Sequence, residues 1–100
     1  MRTRYELSDE LHKLFKNVYF QPPETRKMIY PCCRYVLDSD WSLKADDKRY
    51  LRMKRYQVTI IDKNPDSELP DEFLNTFQYC SFDRMFTSDN LNHWVFTLFY

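Results

Sequence analysis

The sequence predicts an α+β fold in which a four-stranded, mainly antiparallel sheet carries two helices packed on one face. Three observations predict it. Apolar residues recur at a spacing of two in "KRYQVTIID" and "HWVFTLFY", and at helical spacing in "SDELHKLFKNV" and "LPDEFLNTF". Turn-forming residues separate these stretches. One hundred residues make a single domain, 1–100, small enough that its core depends on heavy side chains. Eighteen aromatics supply them, so Phe, Tyr and Trp should dominate the interior.

The first helix is expected over residues 8–18. Ser8 is a suitable N-cap, Asp9 and Glu10 favour the positive helix end, and Leu11, Leu14, Phe15 and Val18 form a stripe. Gln21-Pro22-Pro23 breaks its continuation. "MIYPCCRYVLD" is rich in strand formers, and Pro31, which cannot donate to a ladder, places this strand at an edge or at a bulge. Residues 38–54, "DSDWSLKADDKRYLRMK", are too charged for a core strand and too long for a turn, and read as a long loop of the kind that often binds.

The strand "KRYQVTIID" presents Tyr56, Val58 and Ile60 on one face and Arg55, Gln57 and Thr59 on the other. Asn64-Pro65-Asp66 then turns the chain, and Leu69, Phe73 and Phe77, spaced by four, mark a short second helix. "YCSFDRMFTSDNLNHWVFTLFY" reads as a hairpin joined through Ser88, Asp89, Asn90, Leu91 and Asn92. In its second strand Trp94, Phe96, Leu98 and Tyr100 share a face, so this strand belongs to the core. The sheet's other face, with Arg55, Gln57, Thr59, Ile61, His93, Val95, Thr97 and Phe99, has no helix to cover it and is expected to be an interaction surface.

Composition excludes several functions. The chain has no Gly, hence no phosphate-cradling loop, dinucleotide fingerprint or nucleophile elbow, each of which needs close backbone approach. Asn and Asp must then supply any positive-φ turn positions. The first residues hold no apolar run that would target or span a membrane. Cys32, Cys33 and Cys80 lack ordered spacing with His, and neighbours on an extended segment point to opposite faces. They are expected to be reduced, mostly buried thiols in a cytoplasmic protein. His12 and His93 have no partner for nucleophilic or metal chemistry. The carboxylate pairs Asp46-Asp47, Asp38/Asp40 and Asp71-Glu72 read as solvated charge rather than a Mg²⁺ site. No enzyme, cofactor or metal is expected.

Net charge is zero but unevenly placed. Residues 1–61 carry 13 basic and 8 acidic side chains, residues 62–100 carry 2 basic and 7 acidic. Opposite flanks of this kind attract head to tail, as in cyclic rings, if the fold keeps them apart. Within the basic half, Lys44, Lys48, Arg49, Arg52, Lys54 and Arg55 are interleaved with Tyr50 and Tyr56. Basic groups beside aromatic platforms suit single-stranded nucleic acid, and a nucleic-acid-binding module using residues 44–56 is the alternative reading. Arg and Tyr suit a protein interface equally well.

The stretches "MIYPCCRYVLDSDWSLKADDKRYLRMKRYQVTIIDKNPDSELPDEF" and "YCSFDRMFTSDNLNHWVFTLFY" resemble the small tail-completion or tail-terminator proteins of long-tailed bacteriophages infecting Gram-positive bacteria. The resemblance spans residues 11–100 and carries no catalytic signature. It implies a virion protein, assembled in the host cytoplasm, that forms a hexameric ring on the head-proximal end of the tail tube. Such a ring stops tube growth and joins the tube to the head connector, with DNA passing through unread. Its implied partners are itself, the major tail tube protein and the connector proteins, with no membrane. The implied interface residues lie in the long loop, just after it, and at the hairpin tip: Lys44, Lys48, Arg49, Tyr50, Arg52, Arg55, Asp89, Asn90 and Leu91.

Overall fold

Period-two stretches become the centre of the sheet, and their partners come from segments whose pattern was weaker. The computed structural model describes residues 4–22, 27–45 and 48–100, with the backbone alone for residues 39–53. Helix α1 (Arg4–Leu14) precedes strands β1 (Val18–Phe20), β2 (Cys32–Ala45) and β3 (Lys48–Asp62). Helix α2 (Leu69–Thr76) and the strands β4 (Cys80–Ser88) and β5 (Leu91–Phe99) follow. The sheet order is β1-β2-β3-β5-β4, with β1 parallel to β2 and every other pair antiparallel. The fold is α+β as predicted, but the sheet has five strands and is mixed.

The fifth strand arises where the first helix was extended too far. Phe15 N closes the last helical turn on Leu11 O at 2.8 Å, and the chain then leaves the helix. Cys33 N donates to Asn17 O at 2.9 Å, and the Asn17 amide reaches Pro31 O at 3.2 Å. These bonds set Val18 beside Cys33, so Val18 continues as strand rather than helix. The helix also begins earlier than Ser8. Leu7, Leu11 and Phe15, spaced by four, are its buried stripe, and Ser8 stands inside it with its carbonyl 2.7 Å from His12 Nδ1. Pro31 precedes β2, which is interior, paired on both sides at its start.

One core forms between the helices and one face of the sheet. Tyr56, Val58 and Ile60 of β3 join Trp94, Phe96 and Leu98 of β5, with Tyr100 just beyond, against Leu7, Leu11 and Phe73 of the helices. Phe73 meets the Phe96 ring at 4.8 Å and the Phe77 ring at 5.0 Å, in tilted geometry that suits aromatic quadrupoles. Tyr100 Oη donates to the Glu10 carboxylate, tying β5's end to α1. The opposite face is less open than its sequence implied. Thr59, Ile61 and Val95 are buried there although no helix among the described residues covers this face; Arg34 lies opposite Thr59 in the register and Arg84 opposite Val95. No helix among the described residues is long and apolar enough to cross a membrane.

Candidate assembly surface

Residues 38–54, expected as a loop, are the greater part of a β-ribbon. The β2–β3 pairing runs on from Asp40 opposite Lys54 to Ala45 opposite Lys48, with register shifts near Asp38 and Tyr50. A loop was expected because the segment is highly charged; the two-residue spacing of Trp41 with Leu43 and of Leu51 with Met53, which the register pairs across the ribbon, is the strand signal within it. Paired backbone groups satisfy each other in a ribbon whatever the side chains are. On the β3 side, support ends where Lys54 and Tyr100 exchange their two backbone hydrogen bonds, each 3.0 Å. On the β2 side it ends with Phe20 opposite Tyr35, Gln21 turning away at φ 44° while its Oε1 accepts from Leu37 N at 3.1 Å. Beyond these points the ribbon stands off the body by roughly 20 Å at a strand's rise per residue. It accounts for a molecule 49 Å long and only 25 × 23 Å across. A two-stranded ribbon is at best marginal in water by itself, and among the described residues no further strand lies against either edge of it.

The second open element is β4, at the far side of the sheet. Only Cys80 is sheltered along it; Phe82, Met85 and Phe86 are 51%, 45% and 41% exposed, with Tyr79 just before them at 47%. Large apolar groups on a free edge are unusual in a protein that works alone. Asp83 forms a bulge between Phe82 and Arg84, with the two charges 4.0 Å apart and exposed. Phe86 stacks on His93, ring centres 4.6 Å apart and 7° from parallel, while Phe82 meets Phe96 edge-on at 5.5 Å. The strand is firmly seated on β5, and its outer side faces solvent.

The residues expected to form the interface fall into two groups at opposite ends of the sheet. Lys44, Lys48, Arg49, Tyr50 and Arg52 lie along the ribbon backbone, and Arg55 stands at its base. Arg55 Nε is 2.9 Å from Asp38 Oδ2, an ion pair without hydrogen-bond alignment, with both side chains over two-fifths exposed. Asp89 and Asn90 form the two-residue β4–β5 turn, at φ 55° and 62°, the positive values that Asn and Asp tolerate best after Gly. Leu91 is already in β5, half-buried and opposite Ser88. Register places Arg55 against Phe99 at one end and Asp62 against Asn92 at the other, so the structure keeps ribbon and turn apart.

Sequence reasoning missed two features. The β4 edge was identified as a strand, but its exposure depends on which strands lie beside it; the charged Asp83-Arg84 step inside an apolar run was the available signal. Asn92, assigned to the turn, is buried in β5, where its amide donates to the carbonyls of Asp62 and Lys63, both at 3.3 Å. Tyr56 is only 2% exposed, so of the two aromatic platforms proposed for nucleic acid one is locked in the core. The Asp46-Asp47 pair lies outside the described residues. Among those described, no three His, Cys, Asp or Glu residues converge as metal ligands.

All three cysteines are free thiols, Cys32 and Cys33 buried and Cys80 half-buried. Burial pushes the Cys32 thiol up to about 12, and raises Cys33 and Cys80 as well, so none is an activated nucleophile. Comparison with protein families, with curated proteins and with solved structures finds no match to this chain.

Proposed function

We propose that the protein is a structural subunit of a phage virion, capping the head-proximal end of the tail tube and joining it to the head connector as a ring. The observation that carries this reading is the pairing of a projecting, edge-exposed ribbon with an exposed apolar edge strand on one small body. Each element has, among the described residues, an edge with no strand beside it, and the two lie on different surfaces, which suits head-to-tail association and ring closure. The likeness in sequence to tail-terminator proteins names the assembly, and the separated charge halves supply a long-range attraction between copies. The nucleic-acid reading loses ground because Tyr56 is buried.

Reversing charge at Lys48, Arg49 and Arg52 together tests the proposal in a phage that carries this chain. The fold should persist, since surface substitutions of this kind shift stability by less than about 0.5 kcal/mol each. Filled heads without tails, or tails of uncontrolled length, are the expected outcome. Normal yields of infectious particles would sink the reading, and loss of gel-shift binding to single-stranded DNA by the same change would favour the alternative.

A further inference from the structure

We infer that the ribbon of one copy adds as a strand to the free edge of β4 in the next copy, through its β3 side. The occupant follows from charge. Residues 48–55, "KRYLRMKR", hold five basic side chains and no acidic one, whereas residues 62–100 hold two basic and seven acidic. Asp66, Glu68, Asp71 and Glu72, at and before α2, and Asp83 and Asp89, along β4 and its turn, are all exposed. A second copy therefore brings the complementary charge with it. The ribbon cannot reach its own β4, because β5 lies between β3 and β4 and the ribbon continues the axis of β3 away from the body.

Backbone geometry says which groups would bond. Phe99 N donates to Tyr79 O at 2.8 Å. The alternation of an antiparallel ladder then turns the Cys80 and Phe82 amides outward. Past the bulge at Asp83, where Arg84 faces Val95, the same alternation turns the Met85 and Thr87 amides outward. Among the described residues no strand lies beside these four donors. The bulge and the Asp83-Arg84 step impede pairing with an arbitrary strand, so an incoming strand must match their register. Phe82, Met85 and Phe86 would be covered by the incoming ribbon. Choosing a second copy as occupant rests on the ring reading, but the contact can be tested without a phage.

Two variants of the full chain separate donor from acceptor. Met85→Pro removes an outward amide at an edge position where proline is tolerated, and K48E/R49E/R52E disables the ribbon. In about 50 mM salt, light scattering coupled to size exclusion should show the unaltered protein gaining mass with concentration, and more weakly in about 500 mM salt. Each variant alone should weaken self-association on the order of 100-fold. Mixed together they should form a one-to-one dimer, since the ribbon variant still offers an edge and the edge variant still offers a ribbon. Should Met85→Pro fail to fold, hydrogen exchange on the unaltered protein decides: the Phe82, Met85 and Thr87 amides should slow at least about tenfold when the mass rises. Unchanged exchange at those amides, variants that assemble normally, or a chain that stays monomeric at millimolar concentration would each overturn the contact. A monomer in isolation would leave the phage reading standing for a ring formed on the tube.

Discussion

Strand β3 lives in two environments. From Arg55 to Asp62 it lies between β2 and β5 and sends Tyr56, Val58 and Ile60 into the core. From Lys48 to Met53 it pairs, among the described residues, with β2 alone. One half is held by burial, at roughly 25 cal/mol per Å² of apolar area, and the other has its backbone paired with β2. On the proposed assembly, stability and self-association belong to different halves of the same strand. Substitutions should separate them accordingly.

The largest effect should come from the buried side. Removing residues 96–100 takes Phe96, Leu98 and Tyr100 from the core cluster and the Lys54–Tyr100 bonds from β3. Each fully buried large aromatic contributes about 3–5 kcal/mol, against a total of about 5–15 for a domain, so the chain should not fold. Circular dichroism showing a cooperative melt in the shortened protein would break the division between a stabilising body and a dispensable ribbon.

Next in size is the response to alkali. A thiol whose folded pKa is raised contributes stability that is present below the unfolded pKa of about 9 and is lost as pH climbs towards the folded value. For Cys32 that window runs from about 9 to about 12, the largest cause being burial. Cys33, deeper still, acts in the same direction. The melting temperature should therefore fall by several degrees between about pH 8 and about pH 10.5. Cys32→Ala with Cys33→Ala should flatten that slope. Iodoacetamide should label half-buried Cys80, beside the open edge, before either buried thiol. Labelling of Cys32 first would show that β2 is looser than its pairing suggests.

Third is removal of the ribbon. Replacing residues 42–52 by Asn-Gly, so that Trp41 and Met53 meet across a tight hairpin turn, leaves every pair from Cys32–Ile61 to Trp41–Met53 in place. Stability should change by no more than about 1 kcal/mol, because a shorter loop offsets the lost pairing. Self-association should vanish. A collapse in thermal stability would mean that the ribbon folds back to support the body.

Legibility followed the same division. Residues with a face to bury announced themselves: Tyr56, Val58 and Ile60 and the Trp94 to Tyr100 alternation gave the core strands, and Leu69, Phe73 and Phe77 gave α2. The ribbon was hidden because the high charge of residues 38–54 outweighs the short alternations of Trp41 with Leu43 and of Leu51 with Met53. Three-residue β1 is too short to carry a period at all. The start of α1 was missed because Ser8 looks like a cap, while Leu7, on the buried stripe one residue earlier, is the stronger signal. The Asp89-Asn90 turn was readable because, without Gly, few residues could hold its positive φ. Which edge of the sheet stays open could not be read locally, since it depends on strand order.

The smallest stability effect, and the sharpest probe of the comparison, belongs at the boundary between the two environments. Asp38 and Arg55 pair at 2.9 Å where the ribbon leaves the body, beside the register shift between Leu37 and Ser39. Both side chains are partly solvated, so the pair is worth about 0–1 kcal/mol, and Asp38→Asn should leave the melting temperature almost unmoved. A bulge, however, sets the direction in which a strand pair continues, and a charge pair across it limits the directions available. Loosening it should weaken self-association by about threefold to tenfold while thermal stability stays constant, since docking a mobile ribbon carries an ordering cost that a directed one largely avoids. Sedimentation and a thermal melt on the same sample measure both quantities. If association and stability fell together, the ribbon and the body would have to be one cooperative unit rather than two.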